Sequence, residues 1–138
     1  MKEQDVELRD LVGMRQLSGV TFEDIPRENG DYYEDKTANS CTFILDGKAY
    51  RAIEDPSDGY RSMMRSLRRV SVKAVKNRFE PIQVLCRYRT DGRYGDRDDI
   101  LEMMECVTGK TILTVGTRRV DDYYPSFEAC WQPENIPA

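Results

Sequence analysis

The sequence predicts an α+β domain, a mainly antiparallel sheet of about six to seven strands packed by one main amphipathic helix over residues 58–69. Three observations predict it. Short apolar runs recur along the chain, separated by polar connections too brief for parallel crossovers. Asp46-Gly47 interrupts two alternating runs, the signature of a tight hairpin turn. Tyr60, Met63, Met64 and Leu67 fall at i, i+3, i+4 and i+7, one apolar face of a helix.

The elements follow in order. Leu8, Leu11 and Val12 suggest a short N-terminal helical turn, stopped by Gly13, and a strand carrying Leu17, Val20 and Phe22 comes next. Residues 24–39 are polar and rich in turn formers, so a mobile loop is expected there. In "CTFILDGKAYRAIED", Phe43 and Leu45 alternate with Thr42 and Ile44 before the turn, and the returning strand ends at Pro56, which has no N–H for a ladder. Ser57 or Asp58 can then cap the helix by accepting backbone N–H bonds. Arg61, Arg65 and Arg68 lie on a second helical face, about 100° round from the apolar one. "RVSVKAV" and "PIQVLCRYR" read as strands, and a second mobile loop is expected over 90–99. "ILEMMECV", "KTILTVGT" and "SFEACWQ" read as three more, the first two joined at Thr108-Gly109, with 133–138 an irregular tail.

The chain has 138 residues, one domain's worth, and is 39% apolar and 33% charged. No apolar run approaches the roughly 18 residues a membrane span needs, and "MKEQDVELRD" has no apolar stretch of the kind a secretory leader carries. Four cysteines at 41, 86, 106 and 130 form no C-x-x-C pair, which reads as reduced thiols in a cytoplasmic protein. The chain contains no histidine, which excludes Ser-His-Asp and Cys-His nucleophile pairs and His-based metal sites within it. Net charge is −6 over residues 1–35, +7 over 36–95 and −5 over 96–138. A basic middle suits an anionic ligand or an acidic protein patch, although it also balances the acidic ends. The overall charge of −4 argues against general DNA binding.

Gly109-Lys110-Thr111 lacks the second glycine of a phosphate-binding loop, because Met104 stands there, and it lies between strands. Counted from Asp55, a calcium loop would need Gly at Tyr60 and Glu at Ser66. Glu54, Asp55 and Asp58, or Asp96, Asp98 and Asp99, could hold a divalent cation or share a proton, but carboxylates at strand ends and helix N-termini are ordinary. The bases from Arg61 to Arg78, without an acid among them, and the interleaved Arg87, Tyr88, Arg89, Arg93 and Tyr94 could pair phosphates and stack bases. A solvated face accounts for them equally simply. In "GTRRVDDYYPSF", Arg118, Arg119, Tyr123 and Tyr124 make an Arg-Tyr corner suited to a planar anion or a protein contact.

"LVGMRQLSGV", "FILDGKAYRAIEDPSDGYRS" and "GTRRVDDYYPSF" resemble small bacteriophage-encoded proteins that carry the EDPSDGYRS-type motif, a family with no assigned activity. The resemblance carries over no catalytic residue; it implies a phage protein acting in a bacterial cytoplasm. Small phage proteins often act by binding, either blocking host defence complexes or sequestering their nucleotide signals, and the resemblance implies that mode here. The expectation is therefore a non-catalytic, counter-defence binding protein that needs no cofactor. It would use Tyr60, Arg61, Arg65, Arg68, Arg118, Arg119, Tyr123 and Tyr124 against a host defence protein or an anionic, nucleotide-like ligand. The alternative is a metal-dependent hydrolase or nuclease built on Glu54, Asp55 and Asp58. Homo-oligomerisation stays open.

Overall fold

A computed structural model describes residues 5–26, 37–53, 66–70, 78–91, 97–118 and 126–131. The described chain forms nine strands: β1 (Asp5–Glu7), β2 (Gly13–Pro26), β3 (Thr37–Leu45), β4 (Lys48–Ile53), β5 (Ser66–Val70), β6 (Arg78–Arg89), β7 (Asp99–Glu105), β8 (Thr111–Arg118) and β9 (Ser126–Trp131). They make one sheet in the order β1-β5-β4-β3-β2-β6-β7-β8-β9, every pairing antiparallel. The only helical element among the described residues is a 3₁₀ turn at Leu8–Leu11.

The α+β expectation is therefore corrected to an all-antiparallel β fold. The expected helix over 58–69 overlaps β5, where Ser66–Val70 is extended and paired on both sides. Leu67, assigned above to the helical face, stands opposite Ala52 on β4 and Val6 on β1. Of the expected strand "RVSVKAV", Arg69 and Val70 lie in β5, which begins three residues earlier at Ser66, and residues 71–75 lie outside the described residues. Without β5, the free side of β4 would leave a row of N–H and C=O groups unpaired, and sheet pairing outweighs a short helical periodicity. Residues 58–65 lie outside the described residues. The strand number exceeds the expected six to seven in part because β1, three residues long, is too short to show an alternation. No described helix is long and apolar enough to cross a membrane.

The N-terminal turn forms as expected. Leu8 and Leu11 are buried, Asp10 accepts the Glu7 N–H in a capping box, and Gly13 (φ +117°) releases the chain into β2. The hairpin at Asp46-Gly47 also forms, with φ of +53° and +80°, the mirror-image turn that matches strand twist. Its tip is fastened to β2: the Asp46 N–H donates to the Gln16 carbonyl at 2.8 Å, and the Asp46 carboxylate accepts from the Gln16 N–H at 2.9 Å and from Arg15 at 3.1 Å. At the other hairpin, Cys106–Gly109 turns the chain between β7 and β8. The Thr108 hydroxyl donates to buried Glu105 at 2.7 Å there, and Gly109 has φ +73°.

β2 joins two halves. Its N-terminal part, from Gly13 to Leu17 and again at Gly19, pairs with β6, whereas from Leu17 onwards it pairs with β3 as far as Pro26↔Thr37. Strand pairing thus takes both ends of the segment expected as a loop over 24–39, and residues 27–36 lie outside the described residues. Ser18 is the extra residue of a bulge against β3, and across from it Pro81 interrupts β6, where it can donate nothing to the ladder. The bulge resets side-chain alternation, so that Leu17 and Val20 are both buried. Phe22 stays 42% exposed.

Nine strands laid flat would span about 40 Å. Yet Phe43 and Tyr50 from one half share one buried cluster with Val84, Leu101, Met103, Leu113 and Val115 from the other. Phe79 on β6 stacks on Trp131 on β9, three strands away, with ring centroids 5.4 Å apart. The sheet therefore curls over its inner face, and the 3₁₀ turn places Leu8 and Leu11 in the same core. β3 is buried on both faces, Ser40, Thr42 and Ile44 as well as Cys41, Phe43 and Leu45.

Candidate functional site

The end of the sheet where β6 and β8 finish and β7 and β9 begin carries the densest polar chemistry among the described residues. Register explains why. Arg87 stands opposite Glu102, whereas Arg89, Ile100, Gly116 and Glu128 form one row across four strands. Gly116 has no side chain to obstruct that row, and Ile100 is fully buried within it. Arg89 accordingly reaches four carboxylates: Glu102 at 3.0 Å, Asp98 at 3.7 Å, and Asp91 and Glu128 at 3.9 Å. Arg87 approaches Glu102 at 3.7 Å, and Arg118 approaches Glu128 at 3.8 Å. Among the described residues of this lattice, four carboxylates stand against three guanidiniums.

The opposite, inner side of the same end carries Tyr88, Asp99 and Thr117. The Tyr88 hydroxyl donates to Asp99 at 2.6 Å, and Thr117, directly across from Asp99, is fully buried. Burial pushes the Tyr88 phenol up to about 12, and the hydrogen bond to Asp99 adds to the shift by favouring the protonated form. The two inward cysteines behave similarly. Burial pushes Cys86 up to about 12 and raises Cys41 well above the usual thiol range, whereas Cys106 and Cys130 are exposed free thiols.

Of the expected binding residues, Arg118 belongs to this face. It is half-exposed at the end of β8, and its loose pair with Glu128 leaves donors for a further partner. Arg68 lies on β5, opposite Arg51 and Asp5, in the other half of the sheet. Tyr60, Arg61, Arg65, Arg119, Tyr123 and Tyr124 lie outside the described residues, as do Glu54, Asp55 and Asp58. The expected Arg-Tyr stacking run is otherwise used: Tyr88 bonds Asp99, and Arg87 and Arg89 are tied to Glu102. Sequence reasoning missed Glu102 and Glu128 as partners of these arginines. Alternating Arg87 and Arg89 mark a polar strand face, but only register shows which acids lie across from them.

Among the described residues, no three Cys, Asp or Glu side chains come together in a way that could hold a metal ion. What the arrangement offers is a rigid, mixed-charge surface beside a buried phenol–carboxylate pair. Comparison with protein-family models, with curated proteins and with solved structures gives no match to this chain.

Proposed function

We propose that this chain is a non-catalytic binding protein that occludes a protein partner through the outer face of β6–β9, with Arg118 at its edge. The observation that carries the reading is the composition of that face. Arginines and carboxylates alternate across it on a fixed sheet, an arrangement suited to the mixed charges of a protein surface. An anionic nucleotide would meet Asp98, Glu102 and Glu128 beside every described guanidinium of the face, which favours the protein partner over a sequestered nucleotide. The non-catalytic character is supported by the lack of histidine and by the raised Tyr88, Cys41 and Cys86, which stay protonated at neutral pH. The counter-defence context rests on the resemblance of the EDPSDGYRS run to phage proteins.

The test is affinity capture on the immobilised chain from bacterial lysate, with mass analysis of both proteins and small molecules. A discrete protein partner is expected, and Arg118→Glu should weaken its retention by about tenfold or more while leaving the unfolding midpoint unchanged. Recovery of neither a protein nor a nucleotide would sink the reading, and recovery of a nucleotide alone would replace occlusion by sequestration.

A further inference from the structure

A second constellation lies on the same outer face, across β2, β6 and β7, two residues along the strands from Arg87 and Glu102. Gly13 and Leu17 on β2 face the core side, so Met14 faces outward, 55% exposed, directly opposite Leu85 on β6. Leu85 in turn stands opposite Met104 on β7, which is half-buried while its neighbour Met103 is fully in the core. Two residues beyond Met104, the turn brings the exposed Cys106 back over β2, its Sγ 3.9 Å from Met14 Sδ. Met14 and Cys106 are therefore in contact from two separate parts of the chain, and Met104 shares their outer face on the far side of Leu85.

The surroundings decide what such a cluster can hold. Leu85 lies between Met14 and Met104, the neighbouring Gln16, Gln83 and Thr111 offer only neutral oxygens, and Glu102, two residues before Met104, is held by Arg87 and Arg89. The carboxylate nearest in sequence, Glu105, is buried and accepts the Thr108 hydroxyl. Hard cations need oxygen ligands, whereas thiolate and thioether donors select soft ones. Two bonds of about 2.3 Å, the usual thiolate–metal length, meeting at about 115°, span the observed sulfur separation. The Cys106–Met14 contact thus already has the bite of a coordination pair.

We propose that Met14, Met104 and Cys106 form a surface site for a soft monovalent cation of the Cu(I) class. On binding, Cys106 gives up its thiol proton to solvent and bonds the metal as thiolate, and Met14 and Met104 add thioether bonds. No electron is transferred. The site adjoins the face proposed above for a protein partner, but it does not rest on that reading.

The experiment titrates the full-length chain with Cu(I), anaerobically, against a chromogenic Cu(I) chelator. A Cys130→Ser background removes the other exposed thiol, and Cys41 and Cys86 stay buried. A single equivalent is expected to bind. Cys106→Ser should abolish it, and Met14→Leu or Met104→Leu should weaken it by about tenfold or more. The methionine variants conserve volume, so unchanged unfolding midpoints confirm that folding is intact. Failure to bind a stoichiometric equivalent overturns the proposal. So does an affinity that both methionine variants leave unchanged, because that is the behaviour of a bare surface thiol.

Discussion

At Tyr88 the phenol is held protonated by burial and by its 2.6 Å bond to Asp99, and the consequence is measurable in alkali. The folded phenol titrates near 12 instead of its ordinary 10, and the Cys86 thiol near 12 instead of 9. The unfolded chain therefore releases these protons at lower pH than the folded chain does. Stability from both groups is complete below pH 9 and drains away between 9 and 12. Urea unfolding midpoints should fall over that window, and in Tyr88→Phe the part of the fall above pH 10 should shrink. Parallel loss in wild type and variant would show that Tyr88 contributes nothing to it. The sequence marks Tyr88 only as an aromatic between arginines; its partner Asp99 is identified by the fold.

The strand pair β7–β8 shows how an element can depend on one missing side chain. At Gly116 (φ +152°) an added Cβ would lie 2.0 Å from the Asp99 carbonyl oxygen and 2.6 Å from Ile100 Cα, both backbone atoms of the neighbouring strand. Gly116→Ala should therefore cost about 3 kcal/mol or more in chemical denaturation, far beyond an ordinary strand alanine. An effect under about 1 kcal/mol would mean that β7 and β8 can move apart without loss. Element by element, the sequence was legible where signals are local. The Asp46-Gly47 hairpin, the Leu8–Leu11 turn and strands β6 to β9 all follow from turn chemistry and alternation. The helix over 58–69 was misread because Leu67 fits a helical face as well as a strand, and its partners Ala52 and Val6 are distant in sequence. The arginine lattice stayed hidden for the same reason, since Arg89 reaches Glu128 only through three strand registers.

Across the whole molecule, one core serves both halves of the sheet. Phe43 on β3 and Trp131 on β9 pack into the same cluster although their strands lie five places apart in the sheet order. The chain's single tryptophan therefore reports on packing it does not touch through the ladder. Phe43→Ala should destabilise the protein by about 3–5 kcal/mol, with Trp131 fluorescence and far-UV circular dichroism shifting together in one transition. A fluorescence transition that stays in place while the dichroism shifts would mean that the halves unfold separately.

The sharing of β2 also bears on how the chain is made. As the chain leaves a ribosome, β2 and the β3–β4 hairpin emerge early and can pair at once. The stretch from Gly13 to Leu17 cannot, because its partners run from Ile82 to Cys86. At ordinary synthesis rates that leaves one side of the strand unpaired for several seconds or more, on the order of the time taken to add the residues between. During that interval Met14 and Arg15 border an open sheet edge, so association between nascent copies is most acute before β6 arrives. Slowing translation within the segment from Lys48 to Arg78 would lengthen that interval.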